Sequence, residues 1–369
     1  MNALDKLFTP FVSEKLTLSN RFVMAPMTRQ FSPGSIPNEG VAGYYARRAE
    51  GGVGLIVTEG TCVDHPGAHG YDNVPSFYGE AALEGWHEVV KAVHAAGGKI
   101  APQLWHVGAV RKPGSGPNKE APAYSPSGVF KQGKPNGVAM TQDDINDVVK
   151  AFAESAAAAK NIGFDAIELH GAHGYLIDQF LWEGTNQRDD AYGGSLERRA
   201  RFAVEIITAC RDAVGDEFPI IFRLSQWKQQ DYQAKLANTP DELATLIQLL
   251  SDAGVDIFHC STRRFWEPEF EGSDLNLAGW VTKLSGKPAI TVGSVGLDGD
   301  FIGEGNADLT GSAEPTGIEK LVDRFDRGEF DLVAVGRALL VDPNWVNKIR
   351  EGNLDAIMPY TKDALMSLS

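Results

Sequence analysis

Two hydrophobic periods alternate along the chain. Eight short apolar runs, each closing on a polar residue or a glycine, set the first. They are Phe22 to Thr28, Gly54 to Gly60, Lys99 to Trp105, Ala166 to His170, Pro219 to Ser225, Ile257 to Ser261, Pro288 to Gly293 and Leu332 to Arg337. Between them lie stretches of helical period. From Gln142 to Asn161, residues Ile145, Val148, Val149, Phe152 and Ala156 share one face. Thr141 with Asp144 three positions on makes a capping-box pattern, and Gly163 closes that helix. Arg198 to Arg211 and Pro240 to Ala253 read the same way, with Ser195 as the expected N-cap of the former. Strands that alternate with helices need crossover connections, so the sheet is expected to be parallel. Eight units over roughly 320 residues favour a TIM (β/α)8 barrel with long βα-loop insertions over an open doubly wound sheet, the second choice.

Residues before Phe22 are too few for a domain and are expected to form a strand or hairpin capping the barrel floor. The stretch 108–140 is rich in Gly, Pro, Ser and Lys. A loop of that length after the third strand is expected to be a lid or a substrate-facing arm. A single domain over 1–369 is expected.

Alternate residues of a strand share a side. In the fourth strand Ile167 and Leu169 suit the helix-facing side, which turns Glu168 and His170 inward. The same parity turns Gln103 and Trp105 inward from the third strand and Arg223 and Ser225 from the fifth. The first strand can place Pro26 and Thr28 there. Thr28, Gln103, His170 and Arg223 would then meet at the C-terminal strand ends, where barrel enzymes carry their chemistry.

Composition narrows the partners. Hydrophobic residues make up 43% and charged residues 22%, as in a globular protein with a large core. The balance of 34 basic against 49 acidic residues, net −15, argues against a nucleic-acid partner, whose phosphates need Lys and Arg. Three cysteines without CxxC spacing fit neither a disulfide framework nor an iron–sulfur site. No apolar run is long enough for a membrane span, and Met1 to Pro10 has no signal-like core, so a cytoplasmic setting is expected.

The stretch His170-Gly171-Ala172-His173-Gly174-Tyr175 concentrates chemistry on a glycine-bracketed turn. Two imidazoles offer hydrogen bonds to an oxygen, and a phenol offers a proton. His170 and His173 could instead hold a metal in a hydrolase, although the first strand carries no HxH pattern and the last no isolated acidic ligand. Gly293-Ser294 and Gly336-Arg337 end the last two strands, where this fold often binds phosphate, and Arg337 adds a fork matching phosphate geometry. A flavin-free lyase or isomerase acting on a phosphorylated metabolite would use the same feature.

These residues together resemble the Old Yellow Enzyme family of FMN-dependent ene-reductases over nearly the whole chain. The resemblance is carried by Asn20 to Arg29, Thr58-Glu59-Gly60, Gln103-Leu104-Trp105, His170 to Leu181, Asn186 to Arg199, Arg223-Leu224-Ser225, Gly293-Ser294 and Gly336-Arg337, in that order. It implies FMN as bound cofactor and NADPH or NADH as reductant. It also implies ping-pong reduction of the activated C=C bond of an enone, enal, maleimide or nitro compound. Pro26, Thr28 and Gly60 would line the flavin, and Gln103 would meet its pyrimidine end. Arg223 would lie near N1 and C2=O, and Gly293, Ser294, Gly336 and Arg337 would hold the phosphate. His170 and His173 would bind the substrate oxygen while Tyr175 donates the proton. Position 173 is His where some members carry Asn, and position 28 is Thr where one branch uses Cys. Trp105, Phe265, Trp266 and Tyr360 are candidate substrate walls. The segments 226–232 and 263–266 follow no pattern assignable from the sequence. The multidomain dienoyl-CoA reductases carry an iron–sulfur region that this sequence lacks, so a single-domain member is implied.

Overall fold

The computed structural model describes residues 3–298 and 312–369, so the first two residues of the N-terminal stretch lie outside it. Eight parallel strands close into a barrel: β1 (Phe22–Met24), β2 (Leu55–Cys62), β3 (Lys99–Trp105), β4 (Ile167–His173), β5 (Ile220–Lys228), β6 (Ile257–Ser261), β7 (Ala289–Val292) and β8 (Leu332–Val335). β8 pairs with β1 and closes the ring. The open-sheet alternative is thereby set aside. After successive strands come helices α1 (Glu39–Glu50), α2 (Glu80–Ala95), α3 (Gln142–Asn161), α4 (Leu196–Val214), α5 (Pro240–Ala253), α6 (Leu277–Ser285), α7 (Glu319–Asp326) and α8 (Arg337–Val341).

The local signals act as the sequence suggests. Thr141 and Asp144 form the reciprocal capping box of α3. Ser195 caps α4, which starts two residues earlier and ends three later than its apolar period indicated. Val23, Ala25, Leu55, Val57, Ala101, Ile221, Ile257, Ile290 and Leu332 pack together as one cluster of the core, with Phe11, Leu16 and Leu18 joining them. Phe11–Val12 pairs antiparallel with Thr17–Leu18, which is the expected hairpin plugging the barrel floor. Ile167, Leu169 and Phe222 belong to the larger cluster beneath the helices.

Strand ends differ from expectation in ways that matter for the site. β1 stops at Met24, and Phe22 and Met24 pack in the larger cluster while Val23 and Ala25 pack in the smaller one. Strand parity therefore does not carry Pro26 and Thr28 inward; they stand in the loop beyond the strand. Ala25 donates the last ladder bond to Val335, and Pro26 has no N–H with which to continue. In β2 the register shifts between Val57 and Gly60, and the strand runs on to Cys62. β4 continues through the histidine turn to His173, and β5 continues past Ser225 to Lys228. The stretch 108–140 carries two small two-stranded pairings, and Lys131 reaches the Gln230 carbonyl across the rim.

Candidate active site

Four inward side chains form a buried polar layer. The Glu168 carboxylate accepts from Gln103 Nε2 at 2.8 Å and from His259 Nδ1 at 2.7 Å, and Arg223 pairs with His259 in the β5–β6 register. Burial alone would raise the Glu168 pKa. The charges and hydrogen bonds of His259, Arg223 and Gln103 overcome that and hold it below its ordinary value. Glu168 thus bonds Gln103 and His259 rather than His170 or His173, and does not complete a ligand set with those two. Arg223 Nε and His259 Nε2 are buried without a protein partner.

Above this layer the two histidines and the tyrosine meet. Ring centroids are 5.2 Å apart for His170–His173, 4.9 Å for His170–Tyr175 and 4.9 Å for Trp105–Tyr175. Trp105 also stacks near His170 at 6.0 Å. It can occupy this place because Gly60 has no side chain: a Cβ there would lie 2.4 Å from the indole. Burial, followed by the nearby Arg223 charge, pushes both imidazole pKa values well below the ordinary value, so both rings are neutral. The Ala172 N–H donates to His170 Nδ1, which leaves the His170 proton on Nε2. Burial, followed by the neighbouring Tyr71, pushes the Tyr175 pKa well above the ordinary phenol value. Tyr175 is protonated at neutral pH.

The turn is held from behind by a segment the sequence left unassigned. His173 and Gly174 both have left-handed backbone, at φ 63° and 78°. Gln230 and Gln179 each donate to the Gly174 carbonyl at 2.7 Å, and Gln229 donates to that of His173 at 3.0 Å. The Gly174 N–H donates to Asp178, which forms a fully buried ion pair with Lys228 at 2.7 Å. Trp227 stacks on His173 with centroids 4.5 Å apart, and Ser261 Oγ lies 2.7 Å from His173 Nε2. His259 and Ser261 were within reach of the parity argument, because both alternate with inward Ile257. Trp227, Lys228, Gln229 and Tyr71 gave no such signal.

The residues expected to hold a flavin phosphate also assemble. Ser294 Oγ donates to the Arg263 carbonyl, and Arg337 Nη2 lies 3.4 Å from Ser294 Oγ. Gly293 takes φ 144°, and a Cβ there would collide with the Thr262 carbonyl at 2.7 Å. Gly336 faces Met27 and Ala25 with room for a close approach. Pro26 is half-buried and Thr28 exposed in the neighbouring β1 loop. The unpartnered Arg223 Nε and His259 Nε2, with open backbone at Gly336, fit a ring system bearing polar edges and a phosphate tail. Phe265 and Trp266 pack edge-on at 5.1 Å beside the Gly293 loop, where Phe265 N–H bonds the Gly293 carbonyl. Tyr360 is buried with its ring 5.4 Å from the Arg337 guanidinium. Of the four candidate walls, Trp105 is the one in contact with the histidine–tyrosine group.

The model of the NADH:flavin oxidoreductase / NADH oxidase family matches residues 6–355. The chain is 36% identical to an NADH oxidase of Thermoanaerobacter brockii over 97% of its length, and spans about half (52%) of that protein. It is 33% identical to 12-oxophytodienoate reductase 2 of Arabidopsis thaliana over 92% of this chain and 86% of that one. The structure of morphinone reductase in complex with tetrahydroNAD superposes with a TM-score of 0.81 at 30% identity, covering 97% of this chain and 93% of the other. The chain belongs to the NADH:flavin oxidoreductase / NADH oxidase family, that of the Old Yellow Enzymes.

Proposed function

We propose that this protein is an ene-reductase, reducing the activated C=C bond of α,β-unsaturated carbonyl or nitro compounds with NAD(P)H in two alternating half-reactions. The observation that carries the reading is the grouping of two neutral imidazoles and a protonated, half-buried tyrosine over an inward arginine. Bound FMN supplies the two-electron chemistry, between the nicotinamide and the β-carbon of the alkene. Gln103 and Arg223 would face its pyrimidine end, Thr28 its C4 carbonyl, and Ser294 and Arg337 its phosphate. As the alkene is reduced, negative charge grows on the carbonyl or nitro oxygen. His170 and His173 would donate to it, and preorganised donors aimed at developing charge stabilise the transition state. Tyr175 then delivers a proton to the α-carbon as a general acid. Trp105 walls the space beside Tyr175. The three buried free cysteines and a nicotinamide reductant support a cytoplasmic setting; among the described residues no helix is long and apolar enough to cross a membrane.

Tyr175→Phe tests the assignment. In stopped-flow experiments flavin reduction by NAD(P)H should persist, while reoxidation by 2-cyclohexenone should slow by about 100-fold or more, the range of general acid catalysis. Unchanged reoxidation would remove Tyr175 from the mechanism. Protein that takes up no FMN would overturn the reading as a whole.

A further inference from the structure

We infer that Ser261 is a positioning residue for His173: its hydroxyl proton points at His173 Nε2, confines the ring to the Nδ1–H tautomer and makes that N–H the second donor of the site. The consequence for catalysis rests on the proposed role of His173 as a clamp on the substrate oxygen; the tautomer itself does not. A neutral imidazole has one proton for two nitrogens. Nε2 lies 2.7 Å from Ser261 Oγ, and that same oxygen lies 3.5 Å from Arg223 Nη2. Ser261 is 3% exposed. A guanidinium only donates, so Arg223 uses Oγ as an acceptor.

Two arrangements remain. If Nε2 carried the proton, Oγ would accept from both neighbours, and its own buried proton would have no acceptor recorded among the described residues. If Nδ1 carries it, Arg223 donates to Oγ and Oγ–H donates to Nε2, so the buried hydroxyl is satisfied and the ring's one N–H is left at Nδ1 of the half-buried His173, free for the site. Leaving a buried donor unsatisfied costs more than an ordinary hydrogen bond contributes. The donation from Arg223 also polarises the hydroxyl and makes it the better donor. The ring has little freedom to escape this choice, because Trp227 stacks on it and its backbone N–H donates to Ser225 Oγ at 2.9 Å. The two histidines therefore hold opposite tautomers, Nε2–H at His170 and Nδ1–H at His173. The chain Arg223–Ser261–His173 links the cation expected beneath the flavin to the group expected on the substrate oxygen.

Long-range 1H–15N correlation of histidine-labelled, FMN-loaded protein reads the tautomer directly, with His173 assigned by its loss in His173→Asn. The expected wild-type result is a protonated Nδ1 and a bare Nε2. Ser261→Ala should mix the tautomers and Ser261→Thr should retain the wild-type form. A wild-type Nε2–H, or an unchanged pattern in Ser261→Ala, overturns the inference. In reoxidation by 2-cyclohexenone, Ser261→Ala should lower kcat/KM about tenfold at unchanged FMN content, the effect of one neutral hydrogen bond, with recovery in Ser261→Thr. If His173→Ala reduces the enone as well as wild type, the role of His173 fails, and the spectrum still decides the tautomer.

Discussion

Burial sets the protonation states on which the rim depends. A water-exposed imidazole would be partly charged near neutrality, whereas His170 and His173 stay neutral because desolvation disfavours the cation and Arg223 adds to it. Glu59 is affected in the opposite sense for an acid. It lies behind the loop carrying Thr28 and accepts the Arg29 and Gln30 amide protons at 2.8 and 3.2 Å, while burial raises its pKa to about 7. In the unfolded chain it would ionise near the ordinary glutamate value of 4.5. Between those values the native state binds the extra proton, so stability falls as pH rises through the window and levels off above it. Glu59→Gln keeps an acceptor for the two amides and cannot ionise. Relative to wild type, the variant should gain up to about 3 kcal/mol between pH 5 and pH 8. Urea unfolding at stepped pH measures this, and a gap that does not move with pH would refute it.

At the scale of elements, the site depends on two strands being longer than their apolar runs. β4 carries both histidines to its last residue, and β5 runs on so that Trp227 and Lys228 back the turn. The Lys228–Asp178 pair is fully buried, and Asp178 also takes the Gly174 amide proton. Lys228→Met should leave a buried carboxylate unpaired and cost about 3–5 kcal/mol, measured by urea unfolding. The double variant Lys228→Met/Asp178→Asn should recover much of that loss, since a neutral amide still accepts from Gly174. A single variant as stable as wild type would show that the pair does not hold the turn.

For the molecule as a whole, cofactor and fold should be linked. A ligand that binds only the native state adds about 2.7 kcal/mol at 100 times its Kd, so the melting temperature should climb by several degrees as FMN is added to flavin-free protein. Arg337→Ala should weaken FMN binding about tenfold or more, in line with a charge-assisted contact, and leave riboflavin binding unchanged. Calorimetric titration with both flavins separates the outcomes, and equal losses for the two would place Arg337 away from the phosphate.

The sequence by itself determined the barrel and the identity of the site's main donors. Each apolar run encodes the burial of its own strand, caps such as Thr141 and Ser195 encode helix starts, and parity within a strand encodes which side chains turn inward. These are local properties, and Glu168, His170, Gln103 and Arg223 stand where they indicate. Parity failed at Pro26 and Thr28 because β1 turns Val23 and Ala25 inward, the opposite phase, and ends before them. Partner choice was decided only by the tertiary structure. His259 meets Glu168 across 91 positions and Ser261 meets His173 across 88, contacts set by barrel closure and strand register, which no local period encodes. For the same reason Phe265 and Trp266 lie beside the Gly293 loop, while Trp227 and Lys228, with no legible motif, lie against the histidine turn.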